Sequence, residues 1–186
     1  ILEGREVLSV AAHAGFADIN FSGGYVLSIG EGINARLLPY AEGPDNFQML
    51  IKFGDETALV FTVTMYGALY LHDGEFQNVY YIGSKRAVSP FSEQFDSHYR
   101  DLIGSSKQTL SVKAFVATEQ RFPGIGNGVL QDILFEAGIN PKRKIGELSD
   151  MEKEGLLRSL KSVLKEMADK GGRDTEKDIF GEYGGY

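Results

Sequence analysis

Residues 121–130 read Arg-Phe-Pro-Gly-Ile-Gly-Asn-Gly-Val-Leu, with Gly124, Gly126 and Gly128 at alternate positions around Asn127 and an apolar stretch directly after. A helix that starts here exposes unpaired backbone N–H groups at the positive end of its dipole, with no bulky side chains to shield them. That is chemistry for an anion, and a nucleic-acid phosphate suits it. A dinucleotide fingerprint would need a strand beforehand and a third glycine where Val129 stands, whereas the preceding "SVKAFVATEQ" is helical in pattern. The alternative is a tight helix–turn–helix that uses glycine only for its backbone angles. Lys142-Arg143-Lys144, at the far end of the same short helix, is the candidate second basic element.

Other chemistries are excluded more easily. With no cysteine there is neither a disulfide nor a thiolate metal site, and His13, His72 and His98 are far apart with no ligand spacing. Net charge is −7, which counts against nucleic acid, but it is unevenly spread: residues 1–110 carry 7 basic and 13 acidic side chains, residues 111–186 carry 12 and 13. No run reaches the roughly 18 apolar residues of a membrane span, and the first residues show no export signal, so a cytoplasmic protein without a membrane partner is expected. The chain opens without methionine and is read as a fragment of a longer protein.

The elements that must position the glycine segment come in two textures. Up to about residue 85, "YVLSI", "FQMLIKF", "ALVFTVTMY" and "NVYYI" read as β structure. Phe47, Met49, Ile51 and Phe53 alternate along one strand, Gly54-Asp55-Glu56 turns, and Leu59, Phe61, Val63 and Met65 alternate along the next, predicting an antiparallel hairpin. Pro90 then breaks the chain and Ser92 can cap a helix. Val129, Leu130, Ile133, Leu134 and Ala137 form a short apolar stripe that stops at Gly138. Ser149 and Glu152 have capping-box spacing, and Leu156, Leu157, Leu160, Val163, Leu164 and Met167 form a longer stripe that ends at Gly171-Gly172. An α+β fold follows: a partial antiparallel β-sandwich over 1–86 and a helical domain over 87–186.

"PGIGNGVLQDILFEAGINPKR", then "LSDMEKEGLLRSLKSVLKEM" and "KGGRDTEKD", resemble the helix–two-turn–helix region of the formamidopyrimidine-DNA glycosylase and endonuclease VIII family. "VSPFSEQFD" and "YGALYL" extend the similarity towards the start of the chain. The resemblance implies base-excision repair: binding of double-stranded DNA at a damaged or abasic site, flipping and excision of an oxidised base, and cleavage of the abasic strand. It implies that Asn127 binds a DNA phosphate with the backbone of Gly126 and Gly128, and that Lys113 and Asp132 support it or are merely surface charges. Arg173, Asp174 and Thr175 match the loop that in the family lies over the flipped base, or are only a loop. Met65 and Tyr66 correspond to the side chains that fill the space left by the extruded base; for Tyr66 the alternative is an ordinary core tyrosine.

Departures from the family are as informative. The family's nucleophile is an N-terminal proline followed by glutamate, which forms a Schiff base at the sugar, and it is not in this sequence, so no catalytic residue is assigned here. A zinc finger with four cysteines would be expected after Tyr186 in the parent protein, and no cofactor is assigned to this chain. Gly15 or a neighbour stands where the family usually has lysine, and Glu31 falls about where relatives place an apolar intercalating residue. The alternative is therefore a catalytically inactive relative that binds damaged or abasic DNA. Either is expected to be a monomer, since one lesion needs no symmetry.

Overall fold

The computed structural model describes every residue except Met65 and Glu119. Seven strands come in chain order as β1 (Val7–His13), β2 (Phe16–Phe21), β3 (Val26–Ile29), β4 (Ile33–Pro39), β5 (Met49–Lys52), β6 (Thr57–Val63) and β7 (Leu69–His72). They pair antiparallel in two sheets, β1-β2-β3-β7 and β4-β6-β5. Period-2 alternation sends Ile19, Phe21 and Leu27 from the first sheet and Leu59 and Phe61 from the second into one shared core, which is how a sandwich hides its apolar faces. The expected hairpin forms with Met49 opposite Phe61 and Ile51 opposite Leu59. Its turn is held by Asp55 Oδ1, which accepts from Thr57 N–H at 3.0 Å and Thr57 Oγ1 at 2.6 Å. Phe47 falls outside the strand and is exposed.

The helices are α1 (Val79–Arg86), α2 (Phe95–Ser105), α3 (Asn127–Glu136) and α4 (Asp150–Asp169). The α+β class is as expected; "NVYYI" is not the strand it resembled. Asn78 Oδ1 accepts from Tyr80 N–H and Tyr81 N–H, a side-chain cap that starts α1, and its buried residues Tyr81 and Ser84 lie three apart on one helical face. Cap and burial override the β preference of valine and tyrosine. Ser92 does not cap α2 by its side chain: its hydroxyl donates to Ser89 O at 2.8 Å, and Gln94 occupies the cap position without a side-chain bond.

In α4 the expected capping box is present. Ser149 N–H donates to Glu152 Oε2 at 2.8 Å and Glu152 N–H to Ser149 Oγ at 3.3 Å, so each residue satisfies an orphan donor of the other. Leu156, Leu157, Leu160, Val163 and Met167 are buried, as their spacing predicts. Three polar ties bind α2 to α4: Tyr99 Oη donates to Lys153 O at 3.0 Å, Arg100 forks onto Glu154 at 2.8 and 2.9 Å, and Lys161 meets Asp96 at 2.5 Å. Burial, with the Glu154 carboxylate second, pushes the Tyr99 phenol up, so it remains a donor across the working pH range.

Two compact units result, one of residues 1–77 with 169–186 and one of residues 78–168. In the first, the last residues fold into a ribbon rather than an open loop. Asp174 N–H donates to Tyr186 O, Gly184 N–H to Glu176 O and Tyr186 N–H to Gly172 O, and a Cβ at Gly184 would overlap the Gly172 carbonyl. The ribbon's tip closes the free edge of β4, where Leu37 N–H donates to Ile179 O at 2.8 Å and Arg36 Nη1 to Asp178 O at 3.1 Å. No helix among the described residues is long and apolar enough to cross a membrane.

Candidate nucleic-acid interface

Apolar anchors place the glycine segment. Phe122, only 6% exposed, packs its ring 5.5 Å from Phe115, 5.8 Å from Phe95 and 6.1 Å from Tyr99, and Ile125 is buried beside the same turn. Phe115 belongs to a π-helical turn, Ala114–Thr118, where an ordinary helix was expected. With Phe122 and Ile125 drawn inward, Gly124, Gly126 and Asn127 are left on the surface. Ile125 N–H donates to Phe122 O, and Gly124 has φ 89°, a left-handed value that favours glycine.

Gly126 is a different case. Its φ of −85° suits any residue, and a Cβ built on it would meet nothing within 4 Å. The fold itself has no need of glycine there. As the cap residue of α3, Gly126 offers no side chain to the first-turn N–H groups, and its carbonyl accepts from Leu130 N–H. The N–H groups of Asn127, Gly128 and Val129 therefore start the helix without a side-chain cap, and the exposed Asn127 side chain makes no hydrogen bond among the described residues.

The far end of α3 explains the groove beside it. Gly138, at φ 64°, donates to Phe135 O, and Ile139 N–H reaches Leu134 O, the paired bonds of a Schellman stop. The chain then turns through Asn140, whose Oδ1 accepts from Lys142 N–H, and lies against the π-helical turn: Lys113 N–H donates to Pro141 O at 3.1 Å and Val112 N–H to Arg143 O at 2.9 Å. Lys113 and Asn127 thus border one groove of about 620 Å³ floored by Leu130, Leu134, Ile139 and Pro141. Lys113 is exposed. Asp132, half-buried one turn into α3, makes no hydrogen bond or ion pair among the described residues.

Of the basic triplet, only two members remain free for a ligand. Arg143 is a fixed part of the fold: its Nη1 lies 2.5 Å from Glu152 Oε1 and its Nη2 2.6 Å from Glu147 O. Lys142 and Lys144 are exposed. The Arg143 guanidinium, then the backbone and side-chain donors of Ser149, hold the Glu152 carboxyl down at about 2, against an ordinary 4.5. A depressed carboxyl adds stability above its unfolded value and loses it as pH falls through its folded one. Acid unfolding followed by circular dichroism should therefore show stability draining between about pH 4.5 and 2, and Arg143→Ala should flatten that part of the profile.

In the other unit, Tyr66 is 94% exposed, with φ 65°, so it is no core residue. Met65 lies outside the described residues. The turn that carries Tyr66 is stitched to the β3–β4 turn: Thr64 N–H and Oγ1 both donate to Gly32 O at 2.8 Å, Gly30 N–H donates to Ala68 O at 3.0 Å, and a Cβ at Gly67 would overlap the Gly32 carbonyl. Glu31 sits in the β3–β4 turn. It is exposed and makes no hydrogen bond or ion pair among the described residues; its carboxylate leans over the β1–β2 turn, where a Cβ at Gly15 would stand 2.9 Å from Oε1. Arg173 pairs with Glu176 at 3.6 Å within the ribbon, and Asp174 and Thr175 are exposed beside it.

One cluster had no sequence signal. His13 and His72, 59 positions apart by their numbers, both converge on Asp18 and Ser28: His13 Nε2 lies 3.1 Å from Asp18 Oδ2, Ser28 Oγ donates to Asp18 Oδ1 at 2.6 Å, and His72 Nε2 is 2.9 Å from Ser28 Oγ. Gly74 N–H donates to His72 Nδ1, which puts the ring proton on Nε2, pointing at Ser28. The serine donates a hydrogen bond to the Asp18 carboxylate and faces the protonated nitrogen of His72, so this imidazole is not placed to take its proton. Ser28 is also fully buried, so this Ser-His-Asp composition ties strands together rather than attacking a substrate.

No family model matches the chain. Among curated proteins, the formamidopyrimidine-DNA glycosylase of Prochlorococcus marinus (strain NATL2A) is 37% identical over 110 residues, 55% of this chain and 38% of that protein. That of Yersinia enterocolitica is 30% identical over 177 residues, 92% of this chain and 64% of that protein. The solved structure of MutM (Fpg) from Thermus thermophilus superposes with a TM-score of 0.79 at 25% identity, across 98% of this chain and 69% of that one. In sequence and in fold the chain is similar to the formamidopyrimidine-DNA glycosylases. The fold is shared with Lactococcus lactis Fpg, solved in complex with oxidised-pyrimidine-containing DNA, at a TM-score of 0.81 and 18% identity over 98% of this chain and 68% of that one. The chain spans 38% and 64% of the length of these two curated relatives.

Proposed function

We propose that this chain is the DNA-binding body of a base-excision DNA glycosylase. The observation that carries the reading is Gly126, a helix-cap glycine that the fold does not require, beside uncapped first-turn N–H groups and an exposed Asn127 side chain with no hydrogen bond among the described residues. A backbone stripped for no internal reason is explained by an external one: a phosphate drawn against the start of α3, with Gly126, Asn127 and Gly128 around it and the Lys113 ammonium at the same groove. Asp132 is assigned a supporting place behind Asn127 on α3.

The remaining parts follow from the same reading. Tyr66, exposed and held at a left-handed angle, acts with Met65 as a wedge in the space an extruded base leaves, and Arg173, Asp174 and Thr175 border the pocket for that base. In the whole protein, excision of an oxidised base and cleavage at the abasic site are attributed to a nucleophile outside this chain. No step is routed through zinc: the chain has no cysteine, and no cluster of three ligating side chains occurs among the described residues.

Fluorescence anisotropy tests the binding claim. An abasic-site duplex should bind more tightly than the undamaged duplex, with log affinity falling linearly against log salt, as each phosphate contact releases counterion. Binding that ignores salt would contradict the phosphate role of α3. Borohydride trapping of the full-length protein on an abasic oligonucleotide then separates the two family readings: a covalent adduct marks a lyase, and its absence marks a relative that only binds.

A further inference from the structure

From the turn that follows α3 we infer a second phosphate site, made by Lys142 and Lys144, so that a DNA strand runs from the start of α3 across this turn; this rests on the DNA reading above. Residues 108–113 and 141–146 are laced together. Lys113 N–H donates to Pro141 O at 3.1 Å, Val112 N–H to Arg143 O at 2.9 Å, Ile145 N–H to Leu110 O at 2.9 Å and Gly146 N–H to Gln108 O at 3.0 Å, and Ser111 and Lys144 form an antiparallel bridge between them. The ladder therefore holds Lys142 and Lys144 against the segment that brings Lys113 to the groove.

The charges of the ladder are sorted. Arg143, the middle of the triplet, is engaged by Glu152 and the Glu147 carbonyl, whereas Lys142 and Lys144 on either side of it are exposed. Neither they nor Lys113 has an ion-pair partner among the described residues, in contrast to Arg100, Lys153 and Lys161 of the same unit, which pair with Glu154, Asp150 and Asp96. Residues 78–168 carry 13 basic and 11 acidic side chains, and residues 1–77 with 169–186 carry 6 and 15. A phosphate chain is thus repelled by the sandwich unit and drawn to the helical one, and there to the cations that no carboxylate occupies. A lysine ammonium suits this task, because it meets a phosphate as a point charge on a flexible stem. The ladder also begins at the groove: Asn140 and Pro141 line it with Lys113 and Asn127, and Lys142 is the next residue. Each DNA strand carries a phosphate about every 3.4 Å of helix rise, so a strand held at Asn127 and led along the groove brings further phosphates over the turn. Such contacts hold the backbone and read no base, so damaged and undamaged duplexes gain from them alike.

The test is the salt dependence of binding by this chain to an abasic-site duplex and to its undamaged counterpart, read by fluorescence anisotropy. Each phosphate contact adds about 0.9 to the slope of log affinity against log salt, so Lys142→Ala combined with Lys144→Ala should lower the slope by about 1.8 and weaken both duplexes by the same factor. Lys142→Arg combined with Lys144→Arg keeps both charges and should hold the wild-type slope. Lys52→Ala, which removes a sandwich lysine paired with Glu56, should leave the slope unchanged. A salt-dependent wild type whose slope survives the double alanine change overturns the inference and leaves the phosphate role of α3 intact, and so does weakening confined to the abasic duplex. A wild type that binds without regard to salt overturns both.

Discussion

Asn127→Asp should weaken binding to an abasic-site duplex by about 10- to 150-fold, the value of a hydrogen bond to a charged group of roughly 1.5–3 kcal/mol. The same change should leave the fold intact. Asn127 is the first residue of α3, and a carboxylate in a first helical turn is favoured by the dipole, so melting temperature should hold or rise slightly. An aspartate differs from asparagine by the loss of both amide N–H donors and the gain of one negative charge, and both changes act on something outside the protein, because the Asn127 side chain has no hydrogen-bond partner among the described residues. Isothermal titration and a thermal melt on the same sample check the two halves. Loss of stability together with binding would mean that Asn127 serves the fold after all.

Gly67→Ala should produce the largest loss of stability among surface substitutions in the sandwich, about 1–3 kcal/mol by the cost of overpacking. A Cβ at position 67 overlaps the Gly32 carbonyl, which is backbone and already accepts two hydrogen bonds from Thr64, so neither side can yield without unstitching the two turns. Gly126→Ala is the matched contrast. There a Cβ meets nothing, and the expected cost is only about 0.5 kcal/mol from the poorer cap, whereas DNA affinity should fall because a methyl group now stands where the phosphate approaches. Denaturant melts and duplex titrations of both variants separate a glycine kept for the protein's own backbone from one kept for a ligand. Equal stability losses at the two sites would contradict this division.

What could be read from the sequence was whatever is local. The β5–β6 hairpin was visible because alternation and the Gly54-Asp55-Glu56 turn agree, and the start of α4 because Ser149 and Glu152 satisfy each other across three residues. Asn127 and its glycines stood out for the same reason, since a helix start needs only neighbours. Residues 79–82 misled because valine and tyrosine favour strands, while a single side chain, Asn78, decides for a helix. The role of Arg143 was hidden by its basic neighbours: only the fold shows that Glu152, on α4, claims it. The His13–Asp18–Ser28–His72 chain, and the stitching of the Tyr66 and Glu31 turns, depend on strands paired across the first sheet and on turns brought together from distant residues. Spacing along the chain carries no trace of either.

The most direct test is an amide NMR titration of the labelled chain with an abasic-site duplex at low salt. If the N–H groups at the start of α3 hold the sugar-phosphate backbone, the resonances of Gly126, Asn127, Gly128 and Val129 should shift the most, and should return when salt is raised. Saturable binding with those four amides unmoved would contradict the account.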